Sequence, residues 1–326
     1  MNAPLVMKRN VAIDFVKVIA TLLVLNSHME ICYGKYSILA TGGAFGDALF
    51  FFVSGFALFL GRKSNFIDWY KRRLGRIYPT VIAAALVGCL IFRDQANFIQ
   101  VVTAEKYWFL QCILVCYILI YPIVRYDLNL KVILPISILL FVIAYFAFYQ
   151  LDGLFFYGED NTFRWLFFFC VMLLGGGAYK FLQAMPTSRF SALGCLLCII
   201  AWYVINYIAN GSPLQLVSFI PLCGFCLFVY QIGKSPFIEK CFSNKIVGNI
   251  LHVTGNLCLE SYLIQEYIFT DALNFMFPLN IPIIMLAVLI ASYILHMLSE
   301  TISQIFDSKP FDYKRLFLRK PSECSN

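Results

Sequence analysis

The chain has 326 residues, of which 61% are hydrophobic and only 13% charged, and its mean hydropathy is +0.78. That balance excludes a soluble globular enzyme and is the composition of a polytopic membrane protein. The net charge of +7 comes with no basic segment interleaved with exposed stacking aromatics, so nucleic acid is not expected as a partner and the excess reads as an orientation signal.

The first apolar run, 11–31, carries Asp14, Lys17 and His28. Ionisable groups inside a span are costly and mark a working cavity. At 100° per residue, Lys17 and His28 fall within about 20° of each other and roughly 16 Å apart along the axis, with Asp14 and Thr21 on the same stripe. The stripe predicts a helix lining a buried aqueous path. The plainer alternative is a snorkelling lysine and a histidine capped by a neighbour. Lys8 and Arg9 precede the run as in a secretory signal, but the apolar stretch is too long and no small-x-small site follows near Ser27. A retained anchor is expected.

Further runs long enough to span lie at 38–60, 77–92, 108–124, 131–150, 163–180, 190–209, 213–232, 249–270 and 280–304. Together they predict an all-α bundle of about ten transmembrane helices, forming one domain over 1–326 with no separate soluble unit. The run 249–270 holds His252, Asn256, Glu260 and Gln265 and is expected to face the bundle. Gly175-Gly176-Gly177 predicts close packing or a kink, and Asp152, Glu159 and Asp160 a solvated turn.

With the N-terminus inside, twenty lysines and arginines fall on inner segments and four, Lys35, Arg93, Lys106 and Arg164, on outer ones. Both termini should therefore be cytoplasmic. Most of the twelve cysteines lie inside apolar runs, where thiols act as small hydrophobes. The pairs Cys195/Cys198 and Cys223/Cys226 have no adjacent His or acid, and no metal site is expected.

A second cluster joins Gly46 to Phe56 with Trp69 to Pro79. Six cations on the loop 61–76 exceed what orientation demands. Arg72, Arg73 and Arg76 stand at i, i+1 and i+4, so at least two share a helix face and can meet a phosphate with forked hydrogen bonds. The alternative is a positive loop at lipid headgroups.

These motifs resemble the integral membrane acyltransferases of acyltransferase family 3, which O-acylate surface polysaccharides and related acceptors. The family's Arg, Asp-x-x-Arg and His eleven residues on is similar to Arg9, Asp14-Phe15-Val16-Lys17 and His28. Its Phe-Phe-x-x-Ser-Gly-Phe resembles Phe51-Phe52-Val53-Ser54-Gly55-Phe56, offset by one Phe, and its basic-aromatic loop ending in Arg-x-x-Pro resembles Arg72 to Pro79. Tyr107-Trp108-Phe109-Leu110 looks like its Trp-Phe-Leu, and Gly255 to Gln265, with Glu260, like its late Gly-x-x-Ser-x-x-x-Tyr-Leu-Ile-His. Lys17 stands where the family has Arg, losing the planar fork. Cys258 and Gln265 stand where Ser and His are common, which leaves that helix hydrogen bonding rather than proton chemistry.

The resemblance implies transfer of an acetyl group from acetyl-coenzyme A, as co-substrate, to a cell-envelope glycan hydroxyl. His28, with an ordinary pKa near 6.5, suits the general base, with Lys17 and Asp14 completing the catalytic set. Arg72, Arg73 and Arg76 would hold the coenzyme A phosphates on the cytoplasmic side while the pantetheine arm follows the polar face of the first helix. A bacterial-type inner membrane, lipid contacts, a lipid-linked sugar or surface polysaccharide as acceptor, and polysaccharide assembly proteins as neighbours follow from the same resemblance. His252 and His296 are expected to pack or to hydrogen-bond between helices. Two other classes fit the bare residues: a transporter or lipid-linked sugar flippase, with Asp14, Lys17 and His28 as an ion relay, and a polysaccharide polymerase or ligase.

Overall fold

A computed structural model describes residues 10–94, 98–149, 156–157, 163–305 and 310–318. About 80% of it is helical, with no strand among the described residues. Helix α1 is Val11–Ser27, started by Asn10, whose side-chain oxygen accepts from the amides of Ala12 and Ile13. It stops at Ser27, and a short α2 (Glu30–Tyr33) with a 3-10 turn (Gly34–Leu39) leaves at 68°. The bend is fixed by Asn26, whose amide donates to the carbonyls of Leu39 and Thr41 at 2.8 and 2.9 Å. The expected helix over 11–31 is thus broken just before His28.

The chain continues through α3 (Gly43–Leu60), α4 (Phe66–Leu90), a short α5 (Phe98–Val102), α6 (Trp108–Arg125), α7 (Leu130–Phe148), α8 (Phe163–Gly177), α9 (Ser191–Ile208) and α10 (Phe219–Gly233). Short α11 (Pro236–Ser243) leads to α12 (Lys245–Asn256), α13 (Cys258–Ile264) and the long α14 (Asn280–Ile305). Among the described residues eight helices are long and apolar enough to cross a membrane, nine if the bent α1 segment is one span. The chain is a multi-pass membrane protein. Exposed Leu139, Leu140 and Ile143 on α7, Leu196 and Leu197 on α9, and Ile290 and Ile294 on α14 supply its lipid-facing surface.

The ninth expected span, 249–270, is two helices. Asn256 turns its amide back to the His252 carbonyl at 2.7 Å, and Leu257 (φ −93, ψ 16) interrupts the helix. A side chain that offers the backbone another bond is a known helix stop. Of its four polar residues Glu260 and Gln265 are buried in the bundle, while His252 and Asn256 are half-buried.

The centre of the bundle is α3, held between α1 and α8. A methyl on Gly55 would collide with the Met172 carbonyl oxygen, and one on Gly175 with the Phe52 carbonyl oxygen, so α3 and α8 approach backbone to backbone. On the other side of α3 a methyl on Gly46 would come within 2.6 Å of Val24 on α1. Around these contacts rings interlock, Phe51 stacking on Phe168 at 4.8 Å and Phe45 meeting Phe225 at 4.6 Å. Gly175→Ala should therefore lower the thermal unfolding midpoint in detergent, by a loss of about 1–3 kcal/mol typical of overpacking. Gly177→Ala, with open space at its methyl, should leave the midpoint unchanged; equal midpoints for both would contradict the close crossing.

Candidate active site

His28 follows α1 at the bend, exposed to two adjoining chambers. The wider, about 260 Å³, is also walled by Lys106, Trp108, Tyr262, Gln265 and Phe269. The narrower, about 130 Å³, lies between His28, Asp47, Trp108, Arg164 and Tyr262. His28 meets the Tyr262 ring edge-on, centroids 6.4 Å apart.

Tyr262 and Asp47 also wall a third, apolar cavity of about 160 Å³, with Val24, Phe50, Ser54 and Cys258. Tyr262 borders all three spaces, so they adjoin one another around its ring as a candidate passage. At its far end Tyr117 is hydrogen-bonded to Ser54 and lies in the field of Arg73 and Arg76. The wall that α1 gives to the middle of the passage is Val24, so the polar groups sit at the two ends rather than along a continuous stripe.

The three arginines diverge. Arg72 donates to the Ser64 hydroxyl at 2.6 Å and to the Arg62 carbonyl at 3.4 Å. Arg73 lies 4.1 Å from the Trp69 ring centre and donates to the Trp69 carbonyl at 3.0 Å. Arg76 is exposed and lines a separate polar cavity of about 460 Å³ with Thr80, Glu260, His296, Glu300 and Arg315. In that cavity His296 Nδ1 stands 3.3 Å from a Glu260 oxygen, the interhelical hydrogen-bond role expected for His296. Glu260 is thus in the second cavity, apart from His28, while Gln265, 4% exposed, is in the first beside it.

Asp14 and Lys17 come together, Nζ to Oδ1 3.8 Å, on the half of α1 away from His28. Eleven residues of helix put Lys17 about 16 Å from His28 along the axis, and neither member of the pair lines the chambers of His28. Lys17 instead acts electrostatically on Cys258, at the wall of the apolar cavity. Arg9 lies outside the described residues. Among the described residues no group of His, Cys, Asp and Glu could hold a metal ion.

At the rim of the wider chamber Lys106 donates to Glu266 at 2.7 Å and Tyr107 donates to the same oxygen at 3.2 Å. Burial and the Glu266 carboxylate push the Tyr107 phenol well above its ordinary range, which keeps it a neutral donor.

The model of acyltransferase family 3, described as an acyltransferase domain, matches residues 10–297. The chain belongs to acyltransferase family 3. No curated protein and no solved structure matches it. Membership supports a membrane acyltransferase over the transporter and polymerase readings.

Two residues of the His28 chamber were passed over in the sequence. Arg164, counted as an outer loop cation, is the second residue of α8, only 4% exposed, with its guanidinium carbon 3.5 Å from the Trp108 ring centre. Asp47, within the cluster Gly46 to Phe56, faces the same chamber. Both fall inside the runs 38–60 and 163–180, so the rule that singled out Lys17, a charge within a span, points to them equally.

Proposed function

We propose that this family 3 acyltransferase moves an acetyl group from cytoplasmic acetyl-coenzyme A to a hydroxyl of a cell-envelope glycan, in a bacterial-type inner membrane with both termini cytoplasmic. The observation that carries the reading is the set of adjoining cavities around Tyr262, with His28 in two of them and, in the third, Tyr117, on which Arg73 and Arg76 act electrostatically. Phosphates suit the arginine end, where forked and charge-assisted hydrogen bonds are available. The apolar cavity between Ser54 and Tyr262 suits a pantetheine arm. The wider chamber pairs aromatic walls, Trp108, Tyr262 and Phe269, with the polar Gln265 and Lys106, a lining that suits the alternating faces and hydroxyls of a sugar.

In this mechanism His28 takes the proton of the attacking hydroxyl and later returns it to the coenzyme A thiolate. Lys17, paired with Asp14 and acting on Cys258, holds positive potential beside the arm and does not touch the reacting atoms. The loop 61–76 and the arginine end lie on one side, in keeping with the charge asymmetry that orients the chain. The acceptor reaches His28 from the opposite side, where glycans of the envelope are exported.

His28→Ala should slow acetyl transfer about 10²–10⁴-fold, the usual worth of a general base, whereas His252→Ala and His296→Ala should keep most of it. Purified variants, matched for expression and followed by mass of the acetylated glycan, test this; near-normal transfer by His28→Ala would remove His28 from the chemistry.

The divergence of the arginines separates their roles. Arg73→Gln and Arg76→Gln should each weaken coenzyme A binding by about 1.5–3 kcal/mol, roughly 10- to 150-fold in Kd. Arg72, whose donors serve Ser64 and Arg62, should matter little. Calorimetric titration of each variant with coenzyme A measures this, and equal losses at all three positions would contradict it.

A further inference from the structure

An arginine in the interior of a membrane bundle is expensive, and it is kept where its charge has work to do. Arg164 stands at the head of α8, 4% exposed, one face of its guanidinium covered by Trp108 at 3.5 Å. Stacking fixes the plane of the group and leaves the edges, which carry the N–H donors, as its polar surface. Arg164 lines the narrow chamber with His28, and Asp47, on the facing helix α3, acts on it electrostatically. Asp47 thus offers the buried guanidinium an acidic neighbour across the chamber. Trp108 and Tyr262, which also wall the chamber, give it a rigid aromatic frame.

We propose that Arg164 is a catalytic residue of the acyl transfer, the donor that stabilises the oxyanion. The assignment rests on the acyl-transfer reading above. As the acceptor oxygen bonds to the thioester carbonyl carbon, its proton passes to His28 and the carbonyl electron pair moves onto oxygen. The guanidinium edge of Arg164 donates to that oxygen. The electron pair then returns, the C–S bond breaks, and the thiolate leaves and takes the proton back from His28. A preorganised donor is worth most where charge develops, and losing one typically costs about 10²–10³ in kcat.

The competing role for Arg164 is structural, as the charge that balances Asp47. A variant series separates the two. Purified protein in detergent is given acetyl-coenzyme A, with water as the acceptor, and thiol release is followed alongside calorimetric binding of coenzyme A and the thermal midpoint. Arg164→Gln should lose about 10²–10³-fold in kcat with the Kd for coenzyme A unchanged. Arg164→Lys, which keeps a cation, should recover part of that loss. The double variant Asp47→Asn with Arg164→Gln, which removes both charges and relieves any unbalanced burial, should stay as slow as Arg164→Gln.

Full kcat in Arg164→Gln, a Lys variant no faster than the Gln variant, or activity restored in the double variant would each overturn the assignment. Should Arg164→Gln fail to fold, the Lys and double variants still decide. A wild-type protein that neither binds coenzyme A nor releases thiol would overturn the acyl-transfer reading itself, and this assignment with it.

Discussion

The approach of α3 to its two neighbours is the constraint on which the site depends. With glycine at positions 55 and 175, α3 and α8 meet through their main chains, and with glycine at 46 α3 closes on α1 at Val24. In lipid the apolar effect gives helices little reason to associate, so small residues that admit close van der Waals contact carry much of the packing. The consequence is chemical as well as structural. One turn of α3, at Asp47, is brought opposite both the end of α1, where His28 stands, and the head of α8, where Arg164 stands. Widening either crossing by a methyl group would move one wall of a chamber of only about 130 Å³.

Charged groups inside the bundle fall in three places. Asp47 and Arg164 belong to the passage, while Glu260, His296 and Arg76 belong to a second polar cavity against α14. Asp14 and Lys17, paired at 3.8 Å, form the third, outside both cavities. Only the first set shares a space with His28. That distinction changes the picture drawn from α1 alone: its charged end is separated from its histidine by an apolar wall at Val24, and the groups nearest His28 are supplied by α3, α6, α8 and α13.

Much of this was legible in the residues. Composition and apolar runs fixed a helical membrane bundle, and the motifs fixed the family, because both depend on local pattern. Gly175 was recognisable as a close-packing site for the same reason. The break at Leu257 was not, since it turns on the Asn256 side chain choosing the His252 carbonyl. The bend before His28 likewise depends on Asn26 reaching carbonyls 13 and 15 residues away. The three arginines share a helical stretch but part company through contacts with Ser64, Trp69 and α14 that spacing does not encode. Arg164, at the edge of its run, satisfies the rule of a charge within a span as well as that of an outer loop cation, and its burial decides between the two.

The central claim is that one continuous passage brings donor and acceptor to His28 from opposite ends. The most direct measurement is a cryo-electron microscopy structure of the full chain in a lipid nanodisc with a thioether analogue of acetyl-coenzyme A. The account predicts phosphate density beside Arg73 and Arg76, the arm between Ser54 and Tyr262, and the acyl carbon in the chamber of His28. Phosphate density on the His28 side, or an analogue bound outside the passage, would contradict it.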